Sequence, residues 1–176
     1  IYAPGYKLFD KIKEELADVE FIAEDLGTMM PGVFKLRDHY DLKGMVIIQE
    51  NLRPWEDHFI DAPENSVSYP ATHDNKTLFQ WFNELTEEQQ ESIAHYFKSL
   101  GIDHGDMAED FFDYVMGMNS DYVIVSLADI LGLGEVARIN EPSTLNDKNW
   151  SYKLTDLKDY EAKADFLRET IEKNKE

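Results

Sequence analysis

The sequence predicts an α/β domain in which four short parallel strands alternate with helices. Its 176 residues, 43% of them hydrophobic, are enough for one domain with a hydrophobic core. Four short runs are almost continuously apolar, which is typical of parallel strands buried on both faces: residues 19–23, 45–48, 67–71 and 122–127. No linker rich in Gly, Ser or Pro divides the chain, so we expect residues 1–176 to form a single domain.

The first two helices are predicted on either side of the first strand. Leu8, Ile12 and Leu16 repeat at four-residue spacing, which places them on one helix face. Pro31 opens the second helix, because a proline in the first turn needs no amide donor.

The later helices have clearer end signals. Thr86 and Gln89 form a capping-box pattern, and Gly101 stands where that helix should end. Further helices are predicted over Met107–Met116 and over residues 160–173.

Strands that alternate with helices indicate right-handed βαβ units on a parallel sheet. Four strands are half of the eight that close a (β/α)8 barrel, so the chain is either a small open sheet or half of such a barrel.

The chain is strongly acidic, with a formal net charge of −19. That charge disfavours nucleic acid and anionic membranes as partners, because both are polyanions. No run approaches the ~20 apolar residues that cross a membrane. No secretory signal is visible, and we expect a cytoplasmic location.

The absence of cysteine excludes disulfides, a thiol nucleophile and zinc–thiolate sites, and no metal site is predicted.

Two segments place carboxylates directly after predicted strands. Glu24 and Asp25 follow the first strand, and His73 and Asp74 follow the third. The carboxyl ends of parallel strands meet on one face of the sheet, so we expect these side chains to lie together. Two carboxyl groups brought together there can transfer a proton and stabilise a cation, which is the chemistry of glycosidic bond cleavage.

Each of these side chains has a chemical and a structural interpretation. A shielded carboxylic acid at position 24 would have a raised pKa and could protonate a departing sugar oxygen. A carboxylate at position 74 would stabilise an oxocarbenium-like centre, and the His73 imidazole could donate to a sugar hydroxyl. The alternatives are that Glu24 or Asp25 caps the next helix or is solvated, and that Asp74 with Asn75 forms a turn.

Six short motifs resemble the 4-α-glucanotransferases known as amylomaltases or disproportionating enzymes. They occur in the family's order with similar gaps, and the resemblance runs from Ala3 to about Lys153. The motifs are Ala23-Glu24-Asp25-Leu26-Gly27, Gly44-Met45, Thr72-His73-Asp74-Asn75 with Trp81 after it, Asp129-Ile130-Leu131-Gly132-Leu133-Gly134, Ala137-Arg138-Ile139-Asn140-Glu141-Pro142, and Asn149-Trp150.

The resemblance implies a fold and a reaction. The family is a (β/α)8 TIM barrel with insertions, and it moves a maltooligosaccharide segment from one α-1,4-glucan to another with retention at the anomeric carbon. This chain would be the C-terminal half of that barrel, with a maltooligosaccharide or glucan as substrate and no cofactor. By position, Glu24 would be the general acid/base, Asp74 the transition-state stabiliser and His73 a sugar ligand at the cleavage point. Asp25 and Asn140 match family positions near bound sugar.

One catalytic group of the family has no match. The covalent nucleophile of the family is an aspartate one strand before the acid/base strand. Nothing before Glu24 supplies it, because Asp10 lies in a predicted helix and Asp18 precedes the strand. Retaining cleavage needs two carboxylates about 5 to 5.5 Å apart. We therefore expect the chain alone to be catalytically inactive.

If the chain is half of a barrel, we also expect it to bind a partner. A half barrel leaves two open strand edges and an uncovered apolar face, so we expect the chain to self-associate or to bind the N-terminal half of the barrel. The alternative function is a non-catalytic glucan-binding or assembly module. Among enzymes, a hydrolase or branching enzyme of the amylase superfamily is a further alternative.

Overall fold

The computed structural model of the chain describes residues 4–175. Ala3, at which the family resemblance begins, lies outside the described residues. The α-helices are α1 (Gly5–Glu15), α2 (Pro31–His39), α3 (Ile48–Asn51), α4 (Leu78–Glu84), α5 (Glu87–Ser99), α6 (Met107–Met116), α7 (Leu127–Ile130), α8 (Lys158–Ala162) and α9 (Ala164–Lys173). Short 3-10 helices occupy Pro54–Glu56 and Glu135–Ala137.

Three short strands form a parallel sheet. They are β1 (Gly44–Ile47), β2 (Ser66–Tyr69) and β3 (Tyr122–Val123), in the order β1-β2-β3. The register pairs Met45 with Val67, and Val67 with Tyr122. The carboxyl ends of all three strands therefore lie at the same edge of the sheet. The predicted α/β class with parallel strands is confirmed.

The prediction of four strands was wrong. Residues 19–23 form only one parallel bridge, between Ile22 and Lys43. The Ala23 N–H donates to the Lys43 carbonyl at 2.7 Å, and the Lys43 N–H donates to the Phe21 carbonyl at 3.3 Å. This segment lies beside β1, and no second strand from residues 4–175 pairs with its other side. Val19 and Ile22 are exposed where burial on both faces was predicted. Without that burial, little stabilises a longer ladder.

The other strands end earlier than predicted. Ile48 begins α3 and Leu127 begins α7. Pro70 follows β2 and has no amide hydrogen with which to extend the ladder. At the end of β3 the Ser126 hydroxyl accepts the Asp129 N–H at 3.1 Å, which caps α7 and turns the chain away from the sheet.

The helix predictions are confirmed with one change. The capping box of α5 is formed, with Gln89 N–H donating to Thr86 Oγ1 and Thr86 N–H donating to Gln89 Oε1. The single helix predicted over residues 160–173 is instead α8 and α9, which meet at Lys163. The Lys163 ammonium is held 2.7 Å from both Asp106 and Glu109, so this junction is fixed against α6. Within residues 4–175, no helix has the length and apolar character needed to cross a bilayer.

The hydrophobic core lies between one face of the sheet and helices α3 to α6. The rings of Phe97 and Phe111 meet edge to face at its centre, with centroids 5.0 Å apart. Val123 and Val125 pack against this core from the sheet side. Side chains alternate along a strand, so the neighbouring residues Tyr122 and Ile124 face the other way and are each 47% exposed. The opposite face of the sheet is therefore only partly covered.

A buried carboxylate fastens α9 to α6. Asp113 accepts hydrogen bonds from His104 Nε2 at 2.9 Å, from Lys173 Nζ at 3.0 Å and from Asn174 Nδ2 at 3.3 Å. Burial of the Asp113 side chain opposes its ionisation, but these donors outweigh burial and lower the pKa of Asp113 below its ordinary value of 3.8.

We expect Asp113→Asn to lower the free energy of unfolding at pH 7 by about 1–3 kcal/mol, because charge-assisted hydrogen bonds to a buried group are lost. The folded pKa is depressed, so the contribution is present above pH 3.8 and is lost as the pH falls through the lower folded pKa. Urea denaturation from pH 7 down to pH 3 measures this difference. Asp165→Asn is the control, since Asp165 is an exposed partner of Arg168, and it should cost less than about 0.5 kcal/mol. Equal losses in the two variants would contradict the assignment.

Candidate active site

A cavity of about 430 Å³ opens at the carboxyl ends of the strands. Its wall is formed by residues 19–24, which we call the bridge segment, by Met45 within β1, by the carboxyl end of β2, and by the loops that follow β2 and β3. The lining residues are Ile22, Glu24, Met45, Tyr69, Ala71, Thr72, His73, Asn75, Thr77, Ile124, Ser126, Ala128, Asp129, Ala137 and Ile139. Two of the predicted site residues, Glu24 and His73, therefore line one cavity although 49 positions separate them.

Glu24 is exposed at the rim of the cavity. The shielding that the sequence predicted for this carboxyl is absent, because the bridge segment has a neighbour on only one side. Glu24 nevertheless lies close enough to Tyr69, which also lines the cavity, for its charge to affect the Tyr69 hydroxyl. Burial raises the pKa of the Tyr69 hydroxyl, and the negative charge of Glu24 raises it further.

Asp25 connects the Glu24 segment to the rest of the fold. Its Oδ1 accepts the Met45 N–H of β1 at 2.8 Å, and its Oδ2 is paired with the Arg37 guanidinium of α2. Only 5% of the Asp25 side chain is exposed, and Asp25 is not part of the cavity wall. Its carboxylate thus fixes the position of the neighbouring Glu24, and the assignment of Asp25 as a sugar ligand stays a prediction.

Gly44 makes room for this ion pair. A Cβ atom at position 44 would lie 2.7 Å from Asp25 Oδ2 and 3.0 Å from Arg37 Nη1. The motif Gly44-Met45 therefore has a physical explanation: the glycine leaves space for the carboxylate, and the methionine amide binds it.

Asp74 lies in a structured turn between β2 and α4. The Asn75 side-chain oxygen accepts hydrogen bonds from the Thr72 amide at 2.9 Å and from its hydroxyl at 2.7 Å, which closes the turn. Asp74 Oδ1 accepts a hydrogen bond from Asn140 Nδ2 at 2.7 Å. Two predicted site residues 66 positions apart are thereby in direct contact. The turn that the sequence offered as an alternative for Asp74-Asn75 is present together with this contact.

His73 stands beside both Asp74 and an aromatic ring. Its Nε2 lies 3.4 Å from Asp74 Oδ1, and its ring centroid lies 5.3 Å from that of Trp150. Half of the His73 side chain is exposed on the cavity side, so the imidazole can reach a ligand there.

A second buried acid supports the same loop. Asp129 is 3% exposed; its Oδ1 accepts the Leu78 N–H at the start of α4, and its Oδ2 accepts the Ser126 hydroxyl, both at 2.8 Å. Burial raises the pKa of Asp129, although these two hydrogen bonds oppose it. Asp129 ties α4, and with it the preceding loop of His73 and Asp74, to α7.

Sequence reasoning missed several contributors to this site. Arg37 was not singled out, because a helical arginine gives no sign of which carboxylate it will meet. The motif that begins at Asp129 is part of the family resemblance, but the hydrogen bond that Asp129 accepts from the Leu78 N–H joins positions 51 residues apart. No local sequence pattern indicates such a contact. No group of three or more His, Cys, Asp or Glu side chains that could hold a metal ion occurs among residues 4–175.

The arrangement can be compared with known proteins. A family model described as 4-alpha-glucanotransferase matches residues 1–158. The chain belongs to the 4-alpha-glucanotransferase family. The resemblance inferred from the six motifs is confirmed.

Relatives in this family are longer than the chain. It is 40% identical over 161 residues to the 4-alpha-glucanotransferase of Streptococcus pneumoniae, covering 89% of this chain and 31% of that protein. It is 35% identical over 164 residues to the 4-alpha-glucanotransferase of Thermus thermophilus, covering 88% of this chain and 32% of that protein. The chain therefore spans about a third of the length of these relatives.

Part of the fold of two solved amylomaltases matches that of the chain. An amylomaltase from Streptococcus agalactiae in complex with acarbose superposes with a TM-score of 0.86 at 29% identity, covering 99% of this chain and 35% of that chain. An amylomaltase from Corynebacterium glutamicum gives a TM-score of 0.62 at 18% identity, covering 93% and 29% of the two chains, which is a likeness of fold alone.

We expect Gly44→Ala to destabilise the fold by about 1–3 kcal/mol, because the added methyl group must displace the Asp25–Arg37 pair. Urea denaturation measures the loss, and hydrogen exchange at the Met45 amide should become faster as its acceptor moves. Gly134→Ala is the matched control, since no atom lies within 4 Å of a Cβ built there and its φ is −85°. A Gly44→Ala variant as stable as the control would show that this space is not needed.

Proposed function

We propose that the chain is the C-terminal part of a retaining 4-α-glucanotransferase barrel and contributes the acid/base and the transition-state stabiliser to its active site. The observation that carries this proposal is the cavity at the carboxyl ends of the strands. Glu24 and His73 line it, and Asp74 lies next to His73, in a chain that belongs to this family.

Glu24 is assigned the proton transfers. Its carboxyl group is open to the cavity and to solvent, so a glycosidic oxygen can reach it. In the first step it would give a proton to the glycosidic oxygen, which leaves as the 4-hydroxyl of the released glucan while the anomeric carbon forms a bond to the nucleophile. In the second step it would take a proton from the 4-hydroxyl of the acceptor glucan, which replaces water and completes transfer with retention.

Asp74 is assigned the electrostatic role. Positive charge develops on the anomeric carbon and ring oxygen in the transition state, and a fixed carboxylate stabilises it without reorganising. The Asn140 amide fixes one oxygen of Asp74 through a 2.7 Å hydrogen bond, which is the support this role requires. His73, exposed beside it, would donate to a hydroxyl of the same sugar ring.

The nucleophile is assigned to the part of the barrel that this chain does not contain. Among the described residues, the acids that line the cavity are Glu24 and Asp129, and both oxygens of the buried Asp129 already accept hydrogen bonds. Asp10 lies in α1 and accepts a hydrogen bond from Tyr40 at 2.7 Å, away from the cavity wall. The chain spans about a third of its relatives, which leaves room for the missing strands and their aspartate.

We expect the isolated chain to release no glucose from maltotriose above the buffer rate, because cleavage with retention needs a second carboxylate about 5–5.5 Å from the first. A chimera in which this chain replaces the matching 161 residues of the Streptococcus pneumoniae relative should be active. In that chimera Glu24→Gln should lower the rate at least ~100-fold, since general acid–base catalysis is lost.

Asp18→Asn in the same chimera is the control, because Asp18 is an exposed acid just before the bridge segment and does not line the cavity. Its rate should stay near that of the parent chimera. Sustained glucose release by the isolated chain would contradict the assignment of the nucleophile. A fully active Glu24→Gln chimera would contradict the role of Glu24. A chimera that binds maltoheptaose without turnover would favour the non-catalytic binding module.

The partly covered face of the sheet is assigned to contact with the remainder of the barrel. Ile22, Tyr122 and Ile124 are each 47% exposed on or beside the sheet, which is a large exposure for apolar residues. Ile22 and Ile124 also line the cavity, so this contact surface borders the candidate site.

We expect the isolated chain to self-associate through this face, giving a concentration-dependent mass above that of one chain in light scattering. Ile124→Asp should shift the mass toward the monomer, because it places a charge on the apolar face. Leu145→Asp is the control, since Leu145 is fully exposed in the loop after Asn140. A monodisperse monomer of the unmodified chain would contradict this proposal.

A further inference from the structure

Trp150 has an unusual backbone conformation for a residue of its size. Among residues 4–175, the residues other than glycine with a positive φ are Asp41, Asp57, Ser143 and Trp150. The first three have short polar side chains, and aspartate is one of the types that reach this region most easily. Trp150, at a φ of +61°, is bulky and therefore strained. A glycine would make the same turn without strain, so the turn alone does not explain a tryptophan at this position.

Packing in the core does not explain the tryptophan either. The Trp150 side chain is 66% exposed, yet its backbone is firmly held. The Trp150 N–H donates to the Ile139 carbonyl at 2.7 Å. Just before it, the Asn149 side chain accepts the Glu141 N–H and donates to Thr144 Oγ1, both at 3.1 Å. The loop thus presents the indole at a fixed place on the surface.

The ring that the indole meets there is the His73 imidazole. The two ring centroids are 5.3 Å apart, and the ring planes are tilted by 38°. This separation is within the range at which aromatic rings attract each other. His73 lines the cavity, so the contact reaches the wall of the candidate site.

His73 needs such a contact if its ring is to keep one orientation. Its Nε2 lies 3.4 Å from Asp74 Oδ1, which is longer than an ordinary N–H···O hydrogen bond. That same oxygen already accepts the Asn140 side-chain amide at 2.7 Å. The His73 side chain is also 49% exposed, so the contact with Asp74 alone leaves the imidazole free to turn.

One short segment supports both members of the His73–Asp74 pair. The Asn140 side chain binds Asp74, and the carbonyl of the preceding Ile139 binds the Trp150 backbone. The groups that contact His73 and Asp74 are therefore anchored at adjacent positions. This arrangement keeps the imidazole and the carboxylate in a fixed relation to each other.

We propose that Trp150 is a positioning residue, whose indole holds the His73 imidazole in the orientation that lets it donate to a sugar hydroxyl in the cavity. This inference rests on the proposed function, since it concerns how His73 performs its role there. A donor acts on a bound sugar only within narrow limits of distance and angle. A glycine at position 150 would remove the strain and, with it, the contact that sets this orientation.

The first test uses the full chain and needs no activity. Trp150→Gly should increase the motion of the His73 ring, measured by NMR relaxation of its ring carbons, because the neighbouring indole is gone. Ser143→Gly is the matched control, since Ser143 is exposed in the same loop and has a φ of +62°. It should leave the His73 ring unchanged. Both variants relieve a similar backbone strain, so the urea midpoint of each should be at or above that of the parent.

The second test uses the chimera described under the proposed function. Trp150→Gly should lower kcat/KM about tenfold, because a displaced group acts poorly on the bound sugar. Trp150→Phe keeps a flat ring and should stay within about threefold of the parent chimera. If Trp150 acts through His73, then in a His73→Ala chimera the further change Trp150→Gly should alter kcat/KM less than about twofold.

The outcomes separate this inference from the proposed function. A His73→Ala chimera as active as its parent, or an inactive parent chimera, counts against the proposed function, and the ring motion in the free chain then decides whether Trp150 holds His73. The inference is overturned if Trp150→Gly leaves that motion unchanged. It is also overturned if Trp150→Gly costs as much activity without His73 as with it, since Trp150 would then act by another route. A urea midpoint of Trp150→Gly clearly below that of Ser143→Gly would assign the indole to stability instead.

Discussion

The parallel alignment of β1 and β3 on the two sides of β2 is the constraint on which the candidate site depends. Because the strands run in one direction, every loop that follows a strand emerges at the same edge of the sheet. Glu24 and His73 are far apart along the chain and share one cavity because the segment before Glu24 bridges to β1 in parallel and β1 is parallel to β2. An antiparallel pairing of β1 with β2 would send one of these two loops to the opposite edge.

Strand direction brings the loops together, and buried polar contacts then fix them. Three side chains make these contacts: Asp25 binds the backbone of β1, Asp129 binds the first amide of α4, and Asn140 binds Asp74 itself. Contacts of this kind hold functional groups on rigid elements within the narrow limits that catalysis needs. Several motif residues, among them Asp25, Asp129 and Asn140, therefore support the candidate site residues, and Gly44 contributes by leaving space.

The sequence predicted the helices and the central strands well because their signals are local. Pro31 at a first turn, the Thr86–Gln89 capping box and the apolar runs of β1 and β2 each act within a few residues. The first predicted strand failed because its formation depends on a neighbour and a covering layer that local composition cannot report; Ile22 has the right residue type and only one bridge. The tail helix was predicted as one piece because the ion pairs of Lys163 with α6 are contacts between distant positions.

The candidate reactive groups could be predicted from the sequence, but the side chains that hold or surround them could not. Carboxylates after strands identified Glu24 and Asp74, whereas Arg37 and the exposed Trp150 have roles that only the folded chain defines. A crystal structure of the chain with acarbose bound would test these assignments directly. We expect one sugar ring to lie in the cavity, with the Glu24 carboxylate on one side of it and His73 with Asp74 on the other. Acarbose bound away from the cavity, or carboxylates of Glu24 and Asp74 that cannot reach a common ring, would contradict these assignments.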